Sequence, residues 1–162
     1  MKQNPTVREK SLHPEPIATP AREKKNGVEA ASDEPLDERI VTALRAASEK
    51  KALEMVVLDL RGVATFTDYF LIASGTNARQ VQAIADEIVA RLKKQGTRAQ
   101  RVEGYRTAEW VLVDYGDFIA QIFENKARQF YDLERLWRDA VRITISDDLI
   151  AEAGVTLKAE ES

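Results

Sequence analysis

Four aspartates sit where a catalyst could use them. Asp59 and Asp68 stand singly within apolar runs, and Asp114 and Asp117 flank Tyr115-Gly116. Two-metal phosphoryl chemistry needs paired carboxylates, usually Asp-x-Asp, around the transferring group. No Asp-x-Asp follows Ser74-Gly75. Asp114 and Asp117 straddle a turn and are expected to diverge. Capping, turn and surface roles account for all four. His13 is the only histidine, and there is no cysteine. That removes triads that need His, thiolate nucleophiles, disulfides and Cys or imidazole metal clusters. Catalytic residues, a cofactor and a bound metal are therefore not expected.

A second candidate is Gly75-Thr76-Asn77, placed between a strand and a helix. Helix N-termini attract anions. The loop has no Gly-x-Gly-x-x-Gly and no Gly-Lys-Ser/Thr. An ordinary strand-to-helix turn explains it, with Asn77 as N-cap and Gln80 completing a capping box. The element and its mixed sheet resemble the start of a nucleotidyltransferase fold, without that fold's carboxylates. A nucleotide-binding enzyme is the less favoured alternative.

Trp110 is the third candidate. The residues leave two readings open: a core indole with its N–H satisfied, or an interface anchor. Arg106, Glu109 and Asp114 nearby favour the anchor, since a polar rim around an aromatic marks interfaces. Tyr131 and Trp137 read first as core residues of the last helix.

The elements that position these residues follow from periodicity. Leu36, Ile40, Ala43, Leu44 and Ala47 predict a helix over 36–50, with Ser32 or Asp33 ahead of Pro35 as start signal. Residues 54–60 and 66–74 read as strands. A helix follows Asn77 with Val81, Ile84, Ala85, Ile88 and Leu92 on one stripe, and Gly96 fits its C-terminal cap. A short strand over 97–102 precedes the turn Glu103-Gly104. Strands 110–114 and 118–123 are joined by a hairpin loop in which Gly116 supplies positive φ. A final helix runs from Asn125 through Trp137. The expected fold is α/β (α+β): a mixed sheet of about five strands with three helices. On strand 110–114, Trp110, Leu112 and Asp114 face one way and Val111, Val113 and Tyr115 the other. Three short helices are too few to cover both sheet faces. One apolar face is thus expected to be exposed as a docking site.

Composition bounds the rest. All five prolines fall in residues 1–35, which lack Phe, Tyr and Trp. Such a segment cannot offset a backbone ordering entropy of roughly 1–2 kcal/mol per residue, so it reads as a disordered arm. Residues 141–162 read as an acidic tail with room for a short strand or helix. The domain, 36–140, holds 16 Lys+Arg and 16 Asp+Glu, so the chain's net charge of −3 comes from the tail. A neutral domain has no electrostatic drive toward phosphate backbones. Little direct RNA contact is expected. No apolar run approaches the ~20 residues that span a bilayer. The N-terminus has no signal-peptide core, and its acids argue against a mitochondrial presequence. Cytoplasm is the expected compartment.

Taken in order, these segments resemble the ribosomal silencing factor family, which includes the Iojap-related proteins. The resemblance is carried by Leu58-Asp59-Leu60-x-Gly62, by Thr67-Asp68-Tyr69-Phe70-Leu71-Ile72-Ala73-x-Gly75-Thr76-x-x-Arg79-Gln80, and by Ile84-Ala85-Asp86. It continues through Glu103-Gly104, Glu109-Trp110-Val111-Leu112-Val113-Asp114-Tyr115-Gly116-Asp117, and Arg128-x-x-Tyr131-x-Leu133-Glu134-x-Leu136-Trp137. It implies a nucleotidyltransferase-like fold without the catalytic residues. It also implies a non-enzymatic factor that binds the large ribosomal subunit through its ribosomal protein number fourteen. Bound there, such a factor blocks small-subunit joining and lowers translation when nutrients are scarce; in organelle relatives it attends large-subunit assembly. Carried onto this chain, the partner-binding surface centres on Trp110 with Glu103, Glu109, Leu112 and Asp114, and Tyr131 at its margin. Members often carry His where this chain has Gln121, so no pH-sensing or metal role transfers to that position. The arm and tail gain no task from the resemblance. A homodimer through the apolar sheet face is also conceivable.

Overall fold

The computed structural model describes residues 36–146. Its elements are α1 (Glu38–Glu49), β1 (Leu53–Asp59), β2 (Tyr69–Gly75), α2 (Ala78–Lys94), β3 (Arg101–Glu103), β4 (Trp110–Asp114), β5 (Phe118–Glu124), α3 (Asn125–Tyr131), α4 (Leu133–Leu136) and β6 (Val141–Thr144). The strands form one sheet in the order β3-β4-β5-β2-β1-β6. All neighbours are antiparallel except the central pair β2 and β5. The mixed α+β class read from the sequence holds. The arm at 1–35, the Ser32 and Asp33 start signal, and the tail beyond 146 lie outside the described residues.

The helix ends are set locally, and Asp37, directly before α1, is its N-cap rather than the expected Ser32 or Asp33. Its side chain accepts the Arg39 N–H. Asn77 Oδ1 accepts the Gln80 N–H at 2.8 Å, and Gln80 Oε1 accepts the Thr76 N–H at 2.7 Å. At the other end of α2, Gly96 takes φ +95°. Its N–H reaches Lys93 O, and the Thr97 N–H reaches Leu92 O, a Schellman closure. Gly116 takes φ +89° in the β4–β5 loop, where an added Cβ would also meet the Gln100 amide at 2.7 Å.

Two layers cover the sheet. On one face α1 and α2 bury Ile40, Leu44, Val81, Ile84, Ile88 and Leu92 against Val57, Leu71, Val111, Val113 and Ile122. The expectation of a bare second face is corrected. That face carries Val56, Leu58, Phe70, Ile72, Trp110, Leu112, Ile119 and Phe123. Leu60 and Val63 from the β1–β2 connection, with Ala127, Leu133 and Trp137 from the C-terminal segment, close over it. The helix count missed the connection, which folds inward as a lid of apolar residues.

Two further corrections concern the C-terminal segment. The single helix expected from Asn125 to Trp137 is broken at Asp132, whose backbone is left-handed at φ 45°, ψ 53°. The N-cap is Glu124, without a side-chain cap bond, rather than Asn125. The second correction is β6, a sixth strand within the segment read as a tail. It pairs Val141 to Thr144 with Asp59 to Val56 of β1.

Arg128 pins α3 to the sheet. It is buried, and its Nη1 donates to Glu54 O at 2.7 Å and Ser74 Oγ at 2.8 Å. Its Nε and Nη2 form a fork on Glu134 at 3.1 and 3.0 Å. Arg142 of β6 adds a third bond to Glu134 at 3.0 Å. Arg128 is thus an internal tie between α3, α4 and the sheet rather than a solvated helix charge.

Candidate docking face

The β3–β4 register brings most of the expected residues onto one face. Glu103 pairs with Leu112 and Arg101 with Asp114, so their side chains share a side with Trp110. Arg101 bridges the two acids, contacting Glu103 through Nη1 and Asp114 through Nε at 3.2 Å. Asp114 Oδ1 also accepts the Gly116 N–H at 2.8 Å, which ties this acid to the hairpin turn.

Trp110 itself is not on the surface. It is 2% exposed, and Leu112 is 1% exposed. Phe123, its direct cross-strand partner, stacks on it at 5.1 Å and 27°. Tyr131 from the end of α3 packs on it at 4.7 Å. Its Nε1 donates to Gln121 Oε1 at 2.8 Å. Of the two readings left open by the sequence, this is the satisfied core indole. Neither Trp110 nor Leu112 can touch a partner unless the rings above them move.

What remains accessible is the rim and the covering layer. Glu109 is exposed at the start of β4. Tyr131 is half-buried; burial first, and then the Glu109 charge, push its phenol above the usual range. Phe130 is 78% exposed and meets Tyr131 edge-on at 4.9 Å and 88°. In a helix continuous from Asn125 to Trp137, Phe130 would share a stripe with the buried Leu133 and Trp137, three and seven residues on. Such a helix would have turned it inward; the break at Asp132 leaves it facing out. Leu136 and Phe66, 43% and 39% exposed, are the other large apolar groups on the covering segments.

The catalytic candidates do not assemble. Asp114 turns toward Arg101, while Asp117 meets Arg39 at 2.7 Å, so the two diverge as expected. Asp59 pairs with Arg61 at 2.8 Å. No group of three His, Cys, Asp or Glu among the described residues could hold a metal ion. At Gly75-Thr76-Asn77 the capping bonds already engage the Thr76 and Gln80 N–H groups that a phosphate would need.

The sequence model of the family described as "Ribosomal silencing factor during starvation" matches residues 33–162. The chain belongs to the ribosomal silencing factor family. A family member from Halalkalibacterium halodurans, named ribosomal silencing factor, is 40% identical over 108 residues, covering 67% of this chain and 92% of the relative. A crystal structure of a protein from Chromobacterium violaceum superposes with a TM-score of 0.61 at 30% identity, covering 64% of this chain and 88% of that one. A mouse relative, named mitochondrial assembly of ribosomal large subunit protein 1, is 30% identical over 101 residues, covering 60% of this chain and 43% of its own length. Membership in the ribosomal silencing factor family makes this chain a ribosome-associated regulator of translation.

Proposed function

We propose that the chain is a non-enzymatic repressor that binds the large ribosomal subunit in the cytoplasm. It does so through the subunit's ribosomal protein number fourteen and sterically blocks small-subunit joining when nutrients are scarce. The observation that carries this reading is the Trp110–Tyr131 stack with Glu109 acting on Tyr131, while Glu103 and Asp114 line the same sheet face further along β4. An acidic rim over a braced aromatic suits a cationic protein surface and disfavours bare phosphate.

The test is a subunit-joining assay with purified subunits, followed by light scattering, and cross-linking of the bound chain. Joining should fall in proportion to occupancy, with cross-links from the rim to ribosomal protein number fourteen. Unimpaired joining at saturating occupancy overturns the steric mechanism. Cross-links confined to other proteins overturn the partner.

The mouse relative's name supports a second reading, large-subunit assembly. The two differ in timing. Co-sedimentation with precursor particles, rather than with mature free large subunits, selects assembly.

A further inference from the structure

We propose that Phe130 is the anchor of the partner contact, inserting into an apolar socket of a cationic protein while Glu109 meets that protein's basic rim. The inference rests on the large-subunit reading above and names the residues that carry its contact.

The first argument is that Phe130 has no place in the interior. On α3 the inward positions are Ala127, Arg128 and Tyr131. Phe130 shares the outward stripe with Lys126 and Gln129, at helical spacing, where an amphipathic helix carries polar groups. A ring 78% exposed at such a position contributes little to the fold.

The second argument is stiffness. Phe130 rests on Tyr131, Tyr131 on Trp110, and Trp110 on Phe123, at 4.9, 4.7 and 5.1 Å. The ring contacts run unbroken from the middle of the sheet to solvent. An anchor held this way loses little conformational freedom on binding, which is the general route to a hot spot.

The third argument selects the occupant. Tyr131 lies beside Phe130 and within the field of the Glu109 charge. Glu103 and Asp114 stand on the same side of the sheet, with Arg101 between them. Arg101 already engages Glu103 and Asp114, and Lys126 one turn before Phe130 faces solvent, so Glu109 is the acid beside the contact and the surface carries no net positive charge to draw a phosphate backbone. A protein seated on ribosomal RNA carries Lys and Arg to neutralise it, and so complements this rim. A second copy of this chain would bring the same acids.

The experiment uses the full chain and purified large subunits, with affinity read by sedimentation and the free chain's mass read by equilibrium ultracentrifugation. Phe130→Ser should weaken binding roughly tenfold or more with an unchanged melting curve. Glu109→Lys should weaken it and flatten its salt dependence. Val102→Ser, which removes an exposed apolar group from the opposite sheet face, should bind as wild type. Wild-type affinity of Phe130→Ser overturns the inference and leaves the large-subunit reading intact. Failure of the unaltered chain to bind large subunits overturns that reading itself. Loss of self-association in Phe130→Ser with unchanged subunit binding assigns the surface to a second copy and also overturns the inference.

Discussion

Trp110 sits between Phe123 and Tyr131 with its N–H on Gln121, and each contact has a measurable cost. Trp110→Ala should destabilise the domain by about 3–5 kcal/mol, since it removes both the largest ring and its stacking. Loss of ribosome binding in that variant would therefore report the fold. Gln121→Leu leaves the indole donor buried without an acceptor and should cost about 1–3 kcal/mol in urea denaturation. A cost near zero would show that water or another acceptor replaces the amide. The sequence showed that Trp110 mattered but not which way it faced. Strand alternation gives the side of the sheet, and only the packing of Tyr131 and the Leu60–Val63 connection decides what covers that side. Phe130 was hidden for the converse reason: its exposure depends on a helix break that has no Gly or Pro to announce it.

At the scale of elements, Glu134 of α4 clasps Arg128 of α3 and Arg142 of β6, and so fastens both to the start of β1. Burial works against its ionised form, but the Arg128 bonds and the charges of Arg128 and Arg142 outweigh burial and hold its carboxyl below the usual range. A carboxyl depressed in the folded state adds stability above its unfolded value near 4.5, and that stability is lost as pH falls through the folded value. Glu134→Gln should thus cost about 1–3 kcal/mol at neutral pH and show a flatter loss of stability below pH 4.5 than the unaltered chain. Parallel acid titrations by circular dichroism that superimpose would refute the clasp. The Asn77 cap and the closure at Gly96 were legible because three or four consecutive residues decide them, although the Gln80 amide accepts from the Thr76 N–H rather than from the Asn77 N–H of a full capping box. The break at Asp132 was not, because Asp tolerates left-handed backbone without advertising it. Val141 to Thr144 does alternate between half-buried and exposed, but four residues in an acidic context carry too weak a period to be read as β6.

For the whole molecule, β6 means that the fold does not end at residue 140. Without it β1 becomes an edge strand with unpaired backbone groups. A chain ending after Ala140 should melt roughly 10 °C or more below one ending after Ser146, by the usual relation between lost stability and midpoint for a domain of this size. Equal melting points would show β6 to be dispensable. The parallel seam of the sheet, β2 against β5, has a kinetic consequence as well. The antiparallel pairs β1–β2 and β4–β5 each close over a short connection, whereas Tyr69 must wait for Phe118 to be made before the two halves can join. That joining pays its loop entropy first and gains its contacts last. During synthesis, half the sheet therefore stays open until β5 leaves the ribosome, so a slowed hairpin at Gly116 should delay refolding while leaving the unfolding rate nearly untouched.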